Sequence, residues 1–230
     1  MFFQKGLLAS ALALCAISAP LPECDEPRSS TLSVAQQLKA PTPPPPGTLT
    51  AEKLIQIAPA TASCSGGDFA AECADATRAT AAINKAFSTY KITEKGEKAA
   101  LVAYMLFESG NFKYNRNHFP APGRPGQGTR MMAMPPFISK YATAVAGATA
   151  VGAAEAQGPD AVLSLVNDDD EKSFGSAPWF LTATCSPEVR AGLVAETTEG
   201  WHNFLTECVG TTAAPERDAP WIAAKQVING

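Results

Sequence analysis

The chain has 230 residues, 46% of them hydrophobic, and its 18 Lys and Arg residues against 22 Asp and Glu residues give a formal net charge of -4. Without a basic run or a stripe of arginine and aromatic residues, this composition argues against nucleic acid and against an anionic membrane surface as partners. Only two histidines are present and no HExxH sequence occurs, so we expect neither a metal nor another cofactor.

The N-terminal segment, residues 1–19, is typical of a secretory signal peptide. Lys5 supplies a positive charge, residues 7–17 form an apolar run, and small residues lead to an expected cleavage site near Ala19. The apolar run is too short to cross a bilayer comfortably, and no later stretch is long and apolar enough to do so. We therefore expect a secreted, extracellular protein.

The next segment, residues 20–50, is rich in Pro, Ser and Thr and includes four consecutive prolines at 43–46. A segment of this composition buries little apolar surface, so it is predicted to be an extended tail or linker. The remaining chain, residues 51–230, is long enough for one domain with its own core.

The cysteine pattern supports secretion. If Cys15 leaves with the signal peptide, Cys24 remains in the tail and four cysteines remain in the domain, where four allow three pairings. We favour the two pairs that lie close in sequence, because each brackets a plausible turn or helix hairpin. These disulfides are Cys64–Cys73 and Cys185–Cys208. No CxxC sequence occurs, which disfavours a zinc site built from the same residues.

Helical patterns dominate the domain, and strand patterns are almost absent. The predicted helices span residues 75–90, 93–109, 135–148, 158–167, 177–185, 186–195, 197–210 and 214–228. Asp75 is a candidate N-cap of the first helix, and Gly210 a candidate C-cap near the end of the domain. Helices of this length joined by short turns predict an all-α orthogonal bundle.

The helix predicted over 93–109 carries a carboxylate, Glu108, at its end. Leu101, Met105 and Glu108 are spaced i, i+4 and i+7, so all three share the core-facing stripe. Partial burial and the negative end of the helix would both raise the pKa of this carboxyl. A carboxylic acid that keeps its proton near neutral pH can serve as a general acid. A Glu that reaches solvent or bonds an arginine is the other interpretation.

The segment that follows, residues 111–130, combines aromatic, amide and guanidinium side chains with Gly and Pro. Aromatic faces and amide donors are the groups with which proteins hold sugar rings, and irregular loops often carry sites. The segment therefore favours a ligand-binding loop over a simple surface connection.

Two short motifs in this region resemble those of a known family. Glu108-Ser109-Gly110 precedes an aromatic residue, and residues 128–135, GTRMMAMP, follow about twenty positions later. Together they resemble glycoside hydrolase family 23, the soluble lytic transglycosylases and goose-type lysozymes, and also a group of secreted fungal proteins with a lysozyme-like domain. The resemblance covers residues 93–142. Ala133 stands where that family has Gln.

The resemblance implies a lysozyme-like fold and a single-carboxylate mechanism in which Glu108 is the catalytic general acid. The implied function is cleavage of β-1,4-linked N-acetylated sugars of peptidoglycan or chitin, by hydrolysis or transglycosylation, in a monomer whose partner is the polysaccharide. The implied substrate-binding residues are Ser109, Tyr114, His118, Gln127, Thr129, Arg130 and Tyr141. The alternative is a non-catalytic secreted glycan-binding or host-interaction protein, which Ala133 and the acidic net charge favour.

An acidic run at residues 167–172, NDDDEK, lacks the alternating spacing of a calcium loop. Consecutive Asp residues cannot all face one ion, so the run is predicted to be a solvated loop. The other interpretation is that one of its Asp residues reaches the Glu108 site as a base.

Overall fold

The computed structural model describes residues 47–65 and 68–230, and within these ranges the structure is helical and contains no strand. The α-helices are α1 Ala51–Ile57, α2 Ala76–Thr89, α3 Lys95–Glu108, α4 Pro135–Ala146, α5 Ala148–Glu155, α6 Pro159–Asn167, α7 Asp170–Thr184, α8 Pro187–Val194, α9 Thr198–Asn203 and α10 Pro215–Asn229. A 3-10 turn spans Pro59–Ala62, and a π-helical turn, Phe204–Val209, continues α9. The prediction of an all-α, disulfide-containing domain is confirmed.

Several predictions for the N-terminal region cannot be compared with the structure. The expected signal peptide, most of the expected tail, Cys15 and Cys24 lie outside the described residues. The packed chain already includes Leu49, which is 4% exposed and exchanges two backbone hydrogen bonds with the Asn84 side chain. No helix within the described ranges is long and apolar enough to cross a membrane.

Helix boundaries follow the local signals that the sequence carries. The Asp75 side chain accepts a hydrogen bond from the backbone N–H of Arg78 at 2.9 Å and so caps α2. Gly210 ends the π-helical turn in the left-handed conformation, with φ of 75°. Both predicted caps are confirmed.

The acidic run at 167–172 is not a solvated loop, and that prediction is wrong. It spans the junction of α6 and α7, where Asp169 caps α7 by accepting from the backbone N–H of Glu171 at 2.7 Å. Asp170 and Glu171 occupy the first turn, where the helix dipole favours negative charge. Asp170 is further paired with Arg78 of α2, so the run joins two helices instead of facing the cleft.

The central helix is α3, in which ten of 14 residues are buried. Alanines at positions 99, 100 and 103 leave room for the neighbours that pack on α3, which are α10, α8 and α7. Around this centre α2 packs on α7, and α4 packs on α6. The C-terminal end of α3, which carries Glu108, is thereby surrounded by elements that are distant in sequence.

Both disulfides in the described residues are the predicted pairs. Cys64–Cys73 closes the segment before α2, with Cα atoms 5.7 Å apart. Cys185–Cys208 joins the end of α7 to the π-helical turn, with Cα atoms 5.2 Å apart. The second bond fixes the segment that leads into α10, and α10 supplies one wall of the cleft described below.

Helices α8 and α9 cross in direct backbone contact at Gly192 and Gly200. A Cβ atom added to Gly200 would lie 2.1 Å from the carbonyl oxygen of Gly192, far inside van der Waals contact. The crossing therefore requires that position 200 carry no side chain, and it leaves little room at Gly192, where an added Cβ would lie 3.0 Å from the Cα of Gly200.

Gly200→Ala should destabilise the protein, because α8 and α9 must separate to admit one methyl group. We expect a loss of about 1–3 kcal/mol in the free energy of unfolding, measured by chemical denaturation. Gly152→Ala is the matched control, since this exposed helical glycine has no atom within 4 Å of an added Cβ. That variant should be unchanged or more stable by up to about 1 kcal/mol. Equal effects of the two substitutions would contradict the role of the crossing.

The loop between α3 and α4 is organised by Arg130, whose side chain is fully buried. Its guanidinium donates to the carbonyl oxygens of Phe112 at 2.9 Å, Tyr114 at 3.0 Å and Glu72 at 2.7 Å. The same guanidinium lies 4.8 Å from the centre of the Phe174 ring. One side chain thus joins the turn after α3, the segment before α2, and α7.

Arg130→Lys should strongly lower the free energy of unfolding even though it keeps the charge. The lysine ammonium is a single nitrogen, which cannot reach three carbonyl groups that are positioned around a planar guanidinium. The expected loss is about 3 kcal/mol or more, with buried acceptors left unpaired. Arg116→Lys is the control, since that side chain is 30% exposed, donates to Ser164 and lies 4.0 Å from the exposed Asp168 carboxylate. It should change stability by less than about 1 kcal/mol. Denaturation midpoints and slopes of both variants test this difference.

Candidate functional site

A cleft of about 220 Å³ opens beside the C-terminal end of α3. Its lining is mostly apolar, with three methionines and two phenylalanines, and it contains a single pair of opposite charges. The lining residues are Tyr104, Glu108, Met131, Met132, Ala133, Met134, Phe137, Phe180, Val209, Thr211 and Arg217. Apolar residues thus outnumber polar ones in the lining, while polar atoms still contribute nearly half of its accessible surface.

The polar end is an ion pair between Glu108 and Arg217 of α10. The Arg217 Nη1 donates to Oε1 of Glu108 at 2.6 Å, and the two side chains are only 10% and 18% exposed. No described residue donates a hydrogen bond to Oε2 of Glu108. One oxygen of the carboxylate is thus held while the other is available to the cleft.

Arg217 is fixed by two further contacts. Its Nη2 donates to the Thr211 hydroxyl at 3.2 Å, and its guanidinium lies 4.2 Å from the centre of the Phe107 ring. Stacking on an aromatic face and hydrogen bonding along the fork pre-organise the group. The guanidinium therefore donates one hydrogen bond to Glu108 and another to Thr211, instead of donating both to the same carboxylate.

Burial raises the pKa of the Glu108 carboxyl above its ordinary value of 4.5, and the opposing hydrogen bond and charge of Arg217 offset this only in part. Burial likewise raises the pKa of Tyr104, well above its ordinary value, with the charge of Glu108 adding to the effect. The cleft therefore disfavours additional negative charge unless Arg217 can be reached.

The methionine side of the cleft is shaped by a turn closed on Gly128 and Ala133, whose backbones exchange hydrogen bonds at 3.1 and 2.7 Å. The Tyr104 hydroxyl donates to the carbonyl oxygen of Met131 at 3.3 Å, and the Gln127 side chain donates to that of Met132 at 3.1 Å. These bonds hold the backbone of a turn that carries the three methionines lining the cavity. Thioether side chains are flexible and polarisable, so such a wall adapts to differently shaped apolar ligands.

The predicted site residues do not form one site. Only Glu108 lines the cleft, whereas Ser109, Thr129, Arg130 and Tyr141 are buried. The side chains of Ser109, Arg130 and Tyr141 donate to backbone carbonyl groups, and the Thr129 hydroxyl has no hydrogen-bond partner among the described residues. The Ser109 hydroxyl donates to the Met105 carbonyl at 2.6 Å, and the Tyr141 hydroxyl donates to the Lys172 carbonyl at 2.7 Å.

Two more of the predicted residues belong to a separate aromatic cluster. His118 stacks on Phe69 with ring centres 3.5 Å apart, and its Nε2 lies 2.8 Å from Oε1 of Glu72. Tyr114 meets the His118 ring edge-to-face at 5.9 Å. Glu72 also accepts the backbone N–H groups of Asn115 and Arg116, so this cluster has a structural explanation in holding the loop.

Sequence analysis missed the residues that give the cleft its character. Arg217 lies 109 positions after Glu108, and no local pattern connects them. The methionines of residues 131–134 lie in the GTRMMAMP motif, and nothing in that motif indicates that they line a cavity. The one available signal was the second interpretation of Glu108, a carboxylate that bonds an arginine, and this interpretation is confirmed.

Comparison with protein-family models finds no match, and comparison with solved structures finds none either. Among curated proteins, the chain is 37% identical over 147 residues to a Fusarium oxysporum protein named bifunctional dioxygenase (DOX)-epoxy alcohol synthase (EAS). The match covers 61% of this chain but 11% of the relative. The chain thus spans about a tenth of the curated relative's length.

This similarity overturns the resemblance to glycoside hydrolase family 23. A relative named for dioxygenase and epoxy alcohol synthase activities is neither a lysozyme nor a lytic transglycosylase, so the predictions of glycan cleavage and of a glycoside hydrolase are wrong. The alternative of a non-catalytic glycan-binding or host-interaction protein does not match it either. Peptidoglycan and chitin were implied as substrates by the same resemblance, so they lose their support with it.

The structure supplies a physical reason why the motif misled. In Glu108-Ser109-Gly110, the last two residues end α3: the Ser109 hydroxyl also accepts the backbone N–H of Phe112 at 3.1 Å, and Gly110 has a φ of 59°. Ser and Gly at these positions are explained by the helix end alone. Three residues that terminate a helix are too few to identify a catalytic site.

Oxygen-activating proteins hold iron through histidine, carboxylate or cysteine side chains. In the described residues, no three such side chains are grouped to hold a metal ion, and Nε2 of each described histidine is within hydrogen-bond distance of a carboxylate. The four described cysteines are paired with one another. The described donors therefore do not fit such a centre, and no oxidation step is assigned to them.

The raised pKa of Glu108 predicts a specific dependence of stability on pH. Because the folded state binds this proton more tightly than the unfolded chain, Glu108 favours folding most at low pH, and that contribution is lost as pH rises from 4.5 through the folded-state pKa. The free energy of unfolding of the wild type minus that of Glu108→Gln should therefore fall across this range.

Glu188→Gln provides a control, because the pKa of Glu188 is shifted in the opposite direction from that of Glu108. Hydrogen bonds from its own backbone N–H and from Ser186 lower the pKa of Glu188, so its contribution to stability is present above the ordinary pKa and is lost as pH falls. Denaturation at a series of pH values measures both slopes. A difference for Glu108→Gln that stays level or rises with pH would contradict the assignment.

Proposed function

We propose that this domain is a ligand-binding module that works with an oxidative enzyme, and that its cleft holds a small, largely apolar molecule by one oxygen-bearing end. The observation that carries the proposal is the combination of a methionine-rich cavity wall with one largely buried, pre-organised Glu–Arg pair. Ligand sites are typically apolar clefts in which a few well-placed polar groups set orientation.

The Fusarium relative supports the module interpretation. Its name describes a dioxygenase and an epoxy alcohol synthase, and the matched part is a small fraction of its length. An epoxy alcohol is an organic molecule with a carbon skeleton and few oxygen atoms, which suits a cavity lined by apolar side chains together with one Glu–Arg pair. We propose that the domain of this chain binds a molecule of this kind.

The size of the cavity limits the ligand. A volume of about 220 Å³ is below the roughly 300–1,000 Å³ of sites for drug-sized molecules, so the cleft accommodates a small molecule or one end of a longer one. If about 200 Å² of apolar surface is buried at about 25 cal/mol per Å², the gain is about 5 kcal/mol before the cost of association. Even before that cost, about 5 kcal/mol corresponds to a Kd of only about 0.2 mM, so millimolar or weaker affinity follows.

The location of this activity is also part of the proposal. Two disulfides support an oxidising compartment, which agrees with the signal peptide expected from the sequence. The expectations of a monomer with no nucleic-acid or membrane partner stay predictions.

Labelling the methionine methyl groups with carbon-13 gives a direct test. Three of the five methionines line the cleft, and Met105, fully buried in α3, serves as an internal reference. On titration with 3-phenylpropanol, the methyl signals of Met131, Met132 and Met134 should shift together along one saturating curve while Met105 stays unchanged.

A cavity-filling variant sharpens this test. Ala133→Leu places three extra carbon atoms in the cleft and should weaken binding of 3-phenylpropanol at least tenfold. Ala153→Leu makes the same chemical change at an exposed position of α5 and should bind as the wild type does. Absence of saturable shifts up to the solubility of the probe, or unaltered binding by Ala133→Leu, would refute the proposed site.

A further inference from the structure

We propose that the ligand of this cleft is a small apolar monocarboxylic acid. Its carboxylate replaces that of Glu108 as the hydrogen-bonding partner of Arg217, while Glu108 binds a proton from solvent. This inference rests on the proposed ligand-binding function and specifies the ligand's polar group and the response of the site. No covalent bond changes, and the proton comes from water.

The first argument is a comparison of two Glu–Arg pairs in the same molecule. In the Glu97–Arg190 pair, Nε and Nη2 of the arginine reach the two oxygens of one carboxylate at 2.7 and 3.3 Å, so each partner satisfies the other. In the Glu108–Arg217 pair, one donor meets Glu108 and another meets Thr211. In the second pair, the carboxylate therefore accepts only one hydrogen bond from the guanidinium. A ligand carboxylate that accepted from both Nη1 and Nη2 of Arg217 would form a stronger, two-bond contact.

The second argument is the charge of the site. The side chains that line the cleft include only three titratable groups, Tyr104, Glu108 and Arg217, and the free cleft holds one negative and one positive charge. A ligand carboxylate beside an ionised Glu108 would place two negative charges against one positive charge in a buried setting. Because that arrangement is costly, Glu108 takes up a proton and the site stays neutral.

The groups around Glu108 leave this proton no other destination. Tyr104, on the same helix, is already protonated, because burial raises its pKa well above the ordinary value. Asp218 follows Arg217 on α10, but its Oδ1 accepts from the Trp201 indole and lies 2.9 Å from the His202 ring. The loop 131–134, α4, α7 and the π-helical turn present only Met, Ala, Phe and Val to the cleft.

The protonated Glu108 also gains a function. As a carboxylic acid it carries one O–H donor, which an ionised carboxylate lacks. With the ligand carboxylate held by Arg217, this donor can complete the hydrogen bonding of the ligand. An uncharged alcohol would leave the Glu108–Arg217 pair intact and would bind without taking up a proton.

The closing experiment compares 3-phenylpropanoate with 3-phenylpropanol by titration calorimetry in two buffers of different ionisation enthalpy. In a pH range above the free-state pKa of Glu108, the acid should bind with uptake of close to one proton, and its affinity should fall about tenfold per pH unit. The alcohol should bind with no proton uptake and with affinity independent of pH.

Glu108→Gln keeps the shape of the cleft and removes the titrating group, so it should bind the acid without proton uptake and with no fall in affinity as pH rises. Arg217→Gln should lose at least tenfold in affinity for the acid while its affinity for the alcohol changes less than threefold. If Arg217→Gln does not fold, the Glu108→Gln measurements still decide the question.

The results separate failure of this inference from failure of the proposed function. If the methionine methyl signals saturate with the acid but the wild type takes up no proton, the exchange is refuted and ligand binding stands. The exchange is also refuted if Glu108→Gln retains the wild-type pH dependence. If neither probe shifts the methyl signals, the cleft is not a binding site and both proposals fail.

Discussion

The most deeply buried cation of the described residues, Arg130, fixes the backbone segments around the cleft. Burial lowers the pKa of its guanidinium to about 10, so it still carries its charge at neutral pH. Its three side-chain hydrogen bonds go to backbone carbonyl groups of two separate segments, whereas its Nε has no partner among the described residues. The three bonds and the Asp170 carboxylate, 3.9 Å away, offset the burial of this charge and hold these segments in one arrangement. The residues that directly follow Arg130 are the methionines of the cleft, whose position thus depends on a side chain that never reaches the cavity.

Local signals accounted for most of the helices and failed where the chain departs from ordinary patterns. Apolar periodicity and caps located α2, α3, α4, α6 and α10 to within about two residues, and proximity in sequence was enough to pair the cysteines. The helix α5 was missed because its residues are small, with Val151 its only large apolar side chain. The start of α7 was missed because consecutive Asp residues resemble a solvated loop until their capping bonds are known.

The site was harder to predict than the fold because its chemistry comes from contacts between distant segments. Glu108 was identified from its place on a helix face, but the properties of that carboxylate depend on Arg217, which only the packing of α10 on α3 brings near. The physical argument for a raised pKa of Glu108 agrees with the structure, whereas the family resemblance built on the same residue was wrong. Burial and charge act on the Glu108 carboxyl in any fold, whereas a three-residue motif indicates catalysis only within the fold of the family that has it.

The backbone contact between α8 and α9 has an implication for evolution. Since a side chain at Gly200 would overlap the backbone of Gly192, a lineage that loses Gly200 must move both helices, whereas loss of Gly192 requires a smaller shift because an added Cβ would lie 3.0 Å from the Cα of Gly200. Two glycines eight residues apart, the second followed directly by a tryptophan, should therefore persist in remote homologues after the surface has diverged. This spacing gives a criterion for recognising further members of the group that depends on neither the Glu108 motif nor the composition of the cleft.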